Sequence, residues 1–367
     1  MKRWLTLYTR FDWGLLLAVL TLSAIGLLAI YGMNVSRGAT DFFQLKKQVI
    51  AVLLGLAAVL LIPLLDYRHI RSFSLPLYLA TAAVLFAVLV IGTTSRNAGR
   101  WFVVGSFSFQ PVELAKLSLA VFLAGYLGRH AHKRLSWVAL AGSGVATALY
   151  VGLVLLQPDF GSAMVLVVMW LAAILFCGLP RHAWWIMLVS LVAVSALVWT
   201  VGLRQYQKDR ITSFLDPSVD PLGTSYNVTQ ARIAIGSGGF FGKGIGEGSQ
   251  ARLRFLPEAS TDFMFAVLGE ELGFTGIVFI LGVFGYLLYQ LLHIARQSDD
   301  AFAGLALVLI AAFILCHVIV NAGMNLGLLP VTGIPLPFLS AAASSVVIMY
   351  LTIGFAESIA VHGRRTY

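Results

Sequence analysis

WGLLLAVLTLSAIGLLAIY, residues 13–31, contains no charged residue. As an α-helix rising about 1.5 Å per residue it nearly matches the roughly 30 Å hydrocarbon core of a bilayer. The same reading recurs along the chain. Apolar runs of spanning length cover 13–31, 49–65, 75–91, 112–127, 135–156, 162–177, 184–201, 263–289, 302–321 and 338–359. Ten such runs leave little chain for anything else.

Composition agrees. Charged residues are 11% of the chain and hydrophobic ones 59%, whereas about a quarter of a soluble domain is charged. A segment crossing lipid must satisfy its own backbone hydrogen bonds, which favours helices. The expected fold is an all-α polytopic membrane protein with about ten transmembrane helices. It forms a single domain over 1–367, with a large extracytoplasmic loop, 204–261, between helices 7 and 8. The basic N-terminus followed by an apolar run resembles a signal peptide. The run is long for one and no small-residue cleavage site follows, so it reads as an uncleaved first span.

Ten spans put both termini on one side, and Lys and Arg identify that side. Lys2, Arg3, Arg10, Arg68, Arg71, Arg129, Lys133, Arg134, Arg181, Arg296, Arg364 and Arg365 flank the spans there. Arg37, Lys46, Lys47, Arg96 and Arg100 stand opposite. Both termini are therefore expected in the cytoplasm. The further basic residues of 204–261 weigh little, because long loops translocate largely regardless of charge. The net charge of +9 suits anionic lipid headgroups. No basic helix or aromatic-basic module accompanies it, so no nucleic-acid partner is expected. Cys177 and Cys316 lie in apolar runs without metal-ligand spacing and read as small hydrophobes.

Loop 204–261 is rich in Gly, Pro and charge, and unstructured loops of this length are usually functional. Residues 226–235 have the pattern of a short amphipathic helix. The run GSGGFFGKG, 236–244, is not a nucleotide-binding loop, since Lys243 precedes Gly244 rather than Ser or Thr. Its backbone with Lys243 remains a candidate diphosphate nest.

Ionisable groups at membrane depth are costly and point to function. Glu113 and Lys116, three residues apart at the start of the fourth span, share a helix face. They read either as an ion pair steadying the helix start or as cavity-lining groups. Asp159 caps the sixth span or faces an outward cavity. Arg100 is a candidate phosphate contact, and Trp101 a cavity or interfacial-belt residue. Asp262 enters the eighth span, and Glu270 and Glu271 follow within it. Three carboxylates in so apolar a segment favour a functional role for Asp262. His317, Asn321 and Asn325 form a polar stripe on one face of the ninth span, suited to helix–helix hydrogen bonds or to lining a cavity.

Four motifs carry a resemblance: QPVELAK (110–116), QPDFGSA (157–163), LPEASTDFMFAVLGEELGF (256–274) and NAGMNLGLLPVTGIPLPFLS (321–340). In this order, with ten spans and a large loop after the seventh, the chain resembles the SEDS family (shape, elongation, division and sporulation). GSGGFFGKG and AVLGEE place it nearest the RodA branch. The FtsW branch tends to have an arginine at the position of Ser237 and an alanine at that of Gly269. One departure is Asn97-Ala98-Gly99, where many members read Asn-Gly-Ala.

The resemblance implies a peptidoglycan glycosyltransferase of the cytoplasmic (inner) membrane. Such proteins polymerise lipid II into glycan strands at the outer face during elongation. Their implied partners are lipid II, undecaprenyl-diphosphate-linked glycan, a class B penicillin-binding protein transpeptidase and other elongation-complex membrane proteins. The family's essential aspartate falls on Asp262, its fourth-span pair on Glu113 and Lys116, and its outer-turn aspartate on Asp159. An α-linked donor giving a β-linked product implies inversion by one displacement. That chemistry needs a base, for which Asp262 is the candidate, and neutralisation of the departing diphosphate. Arg100, Arg210, Lys243 or a divalent cation, Mg²⁺ or Mn²⁺, would supply it. Glu271 and Asn321 are further candidates for the substrate cavity. The main competing reading is a lipid II flippase or transporter, which needs many spans and buried charge equally. A noncatalytic scaffold is the third.

Overall fold

The computed structural model describes residues 9–38, 40–95, 98–104, 107–130, 135–178, 185, 200, 205–216, 224–253 and 255–363. The helices are α1 Trp13–Ser36, α2 Phe43–Leu61, α3 Tyr67–Ser72, α4 Ser74–Ile91, α5 Pro111–Leu127, α6 Trp137–Leu156, α7 Phe160–Cys177, α8 Gln205–Leu215, α9 Thr224–Ser237, α10 Ser249–Arg252, α11 Met264–Gln297, α12 Ala301–Leu326 and α13 Ala343–Gly363. Among the described residues, eight helices are long and apolar enough to cross a membrane. The fourth expected span, α5, has 17 residues. The seventh, 184–201, lies outside the described residues except at two positions. The protein is a multi-pass membrane protein.

Helix starts follow side-chain chemistry. Asp12, Ser136, Asp159 and Asp300 each accept a hydrogen bond from an amide in the first turn of α1, α6, α7 and α12. Capping satisfies donors that no helical carbonyl can reach. Pro111 opens α5, where its missing N–H costs nothing. The Asp12 amide donates to Glu357 Oε2 at 3.0 Å. The start of α1 and the end of α13 therefore meet at one end of the bundle.

α12 and α13 are the most buried spans, and α11, α7 and α5 pack around α12. Polar side chains join neighbouring helices inside the bundle. The Tyr150 hydroxyl bonds the Tyr78 carbonyl and Thr81 Oγ1 at 2.9 and 2.7 Å, and Thr81 reaches Ser118 at 2.7 Å. Such interhelical hydrogen bonds hold membrane helices where the hydrophobic effect does not distinguish protein from lipid.

Two features depart from an all-helical reading. Residues Thr93–Ser95, Ala98–Val104 and Phe107–Phe109 form a three-stranded antiparallel sheet in the order β1-β2-β3. This stretch is rich in Thr, Val, Phe and Trp, which suit a half-buried pleated surface. Secondly, α11 breaks at Gly273, with φ 66° and ψ −166°, a conformation only glycine adopts readily.

The glycine-rich run closes that break. The amides of Lys243 and Gly244 donate to the carbonyls of Glu270 and Glu271, both at 3.0 Å. Those of Phe274 and Thr275 donate to Gly239 and Phe240 at 3.0 and 3.1 Å. An interrupted helix thereby regains its backbone partners, as apolar surroundings require. A Cβ at Gly242 would lie 2.2 Å from the Glu271 carbonyl oxygen, so bare backbone is needed for this approach.

Candidate active site

Asp262 lies in the turn before α11, half-buried. Main-chain bonds set this turn: the amides of Thr261 and Asp262 both donate to the Glu258 carbonyl at 3.1 Å. The segment before α13 is stitched to it. Ser340 Oγ donates to the Thr261 carbonyl at 2.6 Å, and the Ala341 amide to that of Ser260 at 2.7 Å.

The polar stripe of α12 lies directly behind. Asn321 Nδ2 donates to the Asp262 and Ile334 carbonyls at 3.0 and 2.8 Å. Asn325 Nδ2 donates to the Asp262 carbonyl at 3.2 Å, and its Oδ1 accepts from the Ala266 amide at 3.2 Å. Both asparagines are fully buried. Two amides thus clamp the main chain of Asp262, and one also caps α11. Of the two roles open for this stripe, hydrogen bonding between elements is the one realised.

One turn deeper, Lys116 Nζ sits 2.7 Å from Glu113 Oε1 and 3.1 Å from His317 Nε2. His317 Nδ1 is 3.2 Å from the Pro335 carbonyl, which can only accept, so Nδ1 carries the proton. Nε2 is then the acceptor for the lysine ammonium. Ser345 Oγ donates to Glu113 Oε2 at 3.2 Å. Glu113 and Lys116 are 2% and 0% exposed, so they form a buried pair. The pair braces the 330–338 loop through His317.

That loop faces the carboxylate. A Cβ built at Gly333 would lie 3.4 Å from Asp262 Oδ2, and Gly333 has φ +74°. Arg210 Nη1 donates to the Val331 carbonyl at 3.3 Å. A groove lined by Pro158, Phe160, Gln207, Arg210, Pro330 and Thr332 runs up to the residue beside Gly333. Asp159 stands at its edge, buried. It accepts from the Ser162 amide and hydroxyl at 3.1 and 3.0 Å and from Gln110 Nε2 at 3.2 Å. It caps α7 and ties it to the start of α5.

Other candidates stand apart. Lys243 Nζ donates to Glu270 Oε1 at 2.8 Å and to Ser237 Oγ at 2.8 Å. Its amide is spent on the α11 break, so a diphosphate nest is not what this backbone forms. Glu271 is buried in the same cluster, with Oε1 accepting from the Gly246 amide at 3.0 Å. Trp101 is half-buried on the second strand, and the Arg100 side chain lies outside the described residues. The 330–338 segment reads from sequence as a rigid loop of an outer rim, whereas Ser345 is not legible there. Ser345 has no local signal, whereas Gly333 sits in a Thr-Gly-Ile-Pro turn that marks a constrained backbone. Among the described residues, no group of three or more His, Cys, Asp or Glu is placed to hold a metal ion.

A family model described as cell cycle protein, covering FtsW, RodA and SpoVE, matches residues 13–365. The probable peptidoglycan glycosyltransferase FtsW of Trichlorobacter lovleyi is 33% identical over 356 residues, 95% of this chain and 93% of its own. Peptidoglycan glycosyltransferase MrdB of Escherichia coli K12 is 32% identical over 351 residues, 95% and 92% respectively. The crystal structure of the rod shape determining protein RodA of Thermus thermophilus superposes with a TM-score of 0.72 at 32% identity, covering 95% of this chain and 96% of that one. A chain from a peptidoglycan synthase complex, described as coordinating polymerization and crosslinking, reaches 0.79 at 34% identity, with 95% and 97% covered.

Proposed function

This chain belongs to the FtsW/RodA/SpoVE family and is a peptidoglycan glycosyltransferase, and from that premise we propose that it polymerises lipid II at the outer face of the cytoplasmic (inner) membrane with Asp262 as base. The acceptor's 4-hydroxyl attacks C1 of the donor sugar, and the bond from C1 to the diphosphate breaks. The hydroxyl proton passes to the Asp262 carboxylate, and undecaprenyl diphosphate leaves with the bonding electrons. The carrying observation is a half-buried carboxylate whose main chain is clamped by two buried amides, facing a loop whose Pro330 and Thr332 line a small groove. Positioned bases need such fixed geometry.

The elongation role rests on Ser237 and Gly269, the RodA-like positions, which both sit in the cluster around Lys243 and Glu270. Ser237 Oγ lies 3.4 Å from Glu270 Oε1, and a Cβ at Gly269 would lie 3.1 Å from Ile235. A class B penicillin-binding protein is the proposed crosslinking partner, alongside other elongation-complex membrane proteins. The Lys and Arg bias of the short loops supports a cytoplasmic position for both termini.

The donor set near Asp262 fits a divalent cation brought in on the diphosphate rather than a resident one, as Mg²⁺ is usually held by substrate phosphates and few carboxylates. Such a cation would neutralise charge on the leaving diphosphate. Chelation with EDTA is expected to cut glycan synthesis from purified lipid II at least tenfold, with recovery on adding Mg²⁺ or Mn²⁺. Undiminished synthesis in EDTA assigns neutralisation to side chains alone. The same assay separates polymerase from flippase. Reconstituted protein must yield glycan, and movement of labelled lipid II across vesicles without glycan would sink the proposal.

Gly333→Ala tests the loop against Asp262. Its positive φ costs an L-residue about 1–2 kcal/mol, and the added methyl meets the carboxylate. Polymerisation is expected to fall about tenfold while the protein still purifies as a folded species by thermal unfolding. Wild-type activity in that variant separates the loop from the reaction.

A further inference from the structure

Beside the groove lies a small cleft of about 80 Å³. Its walls are α8, α9 and the 327–331 segment. Arg210 comes from α8 and Arg232 from α9. Ser213, Ser225 and Thr229 add hydroxyls, and among the described residues no carboxylate lines it. Ser213 is 3% exposed, yet its hydroxyl has no hydrogen-bond partner among the described residues. Burying an unpaired hydroxyl is costly, so a polar ligand is its natural partner.

We infer that this Arg210–Arg232 cleft is an anion subsite that receives the diphosphate of the polyprenyl-linked substrate. The inference rests on the polymerase reading above. Two guanidinium groups and hydroxyls suit adjacent phosphates, since guanidinium forks match phosphate oxygens. Carboxylates of a peptide stem are spaced along a chain and do not match two cations sharing one cleft. Val331 lines the cleft and Gly333 faces Asp262. Two residues span at most about 7 Å. A diphosphate held there keeps the sugar carbon bonded to it within reach of the base.

Binding is measured by calorimetry on the full chain carrying Asp262→Asn, in lipid nanodiscs with EDTA, using inorganic diphosphate. Using that variant makes the result independent of whether Asp262 is the base. Saturable binding is expected, weakened about tenfold by Arg232→Gln and further by Arg210→Gln with Arg232→Gln. Arg232 is exposed, so its loss leaves folding intact. Arg252→Gln, an exposed arginine on α10, should bind as the parent does. In the Asp262 protein, Arg232→Gln should raise KM for lipid II about tenfold. The proposal is overturned by absence of saturable binding, by equal binding with and without Arg232, or by displacement by a soluble disaccharide-pentapeptide lacking diphosphate.

Discussion

Asp262→Asn is expected to abolish polymerisation of lipid II while leaving the protein folded. A positioned general base contributes about 10²–10⁴-fold, so residual glycan should fall by at least a hundredfold. The substitution keeps shape and removes the proton acceptor. It leaves in place the main-chain bonds that set this turn, from the amides of Thr261 and Asp262 to Glu258 and from Asn321 and Asn325 to the Asp262 carbonyl. The apparent Tm should therefore stay close to that of the parent. Glycan length and yield from purified lipid II, read beside thermal unfolding of the same preparation, decide it. A folded variant retaining activity within a few-fold of the parent removes Asp262 from proton transfer.

Membrane character is readable because lipid solvent imposes length and apolarity on each span, and both are visible residue by residue. Expected spans 13–31, 75–91 and 302–321 lie within α1, α4 and α12. The helix expected over 226–235 is α9, extended by a few residues at each end. Features set by distant partners were not readable. The break at Gly273 depends on carbonyls and amides of 239–244, which hydrophobic patterning does not encode. Lys243 reads as a free cation for diphosphate until Glu270 and Ser237 are seen around it. Ser345 and Glu113 are 232 positions apart, and only packing of α13 against α5 brings them together. Asp159 illustrates the opposite case. Its capping of α7 follows from position alone, whereas its bond from Gln110 does not.

The buried pair behind the site gives the second large effect. Lys116→Met leaves Glu113 buried with Ser345 as its remaining side-chain partner, and breaking a buried ion pair costs about 3–5 kcal/mol. A charge lacking a counterion is costlier still at membrane depth. His317 Nε2 loses its donor as well, which loosens the hold of Nδ1 on the Pro335 carbonyl and, through it, the turn bearing Gly333. Stability and polymerisation should therefore both fall in the single variant. Glu113→Gln combined with Lys116→Met removes the uncompensated charge while keeping an acceptor for Ser345. Thermal unfolding in detergent should show most of the lost stability restored, with activity recovering only in part because His317 still lacks its ammonium donor. If the double variant unfolds as readily as the single one, burial of charge is not what makes this pair indispensable, and Lys116 acts through packing against Phe313, whose ring centre lies 5.6 Å from its ammonium.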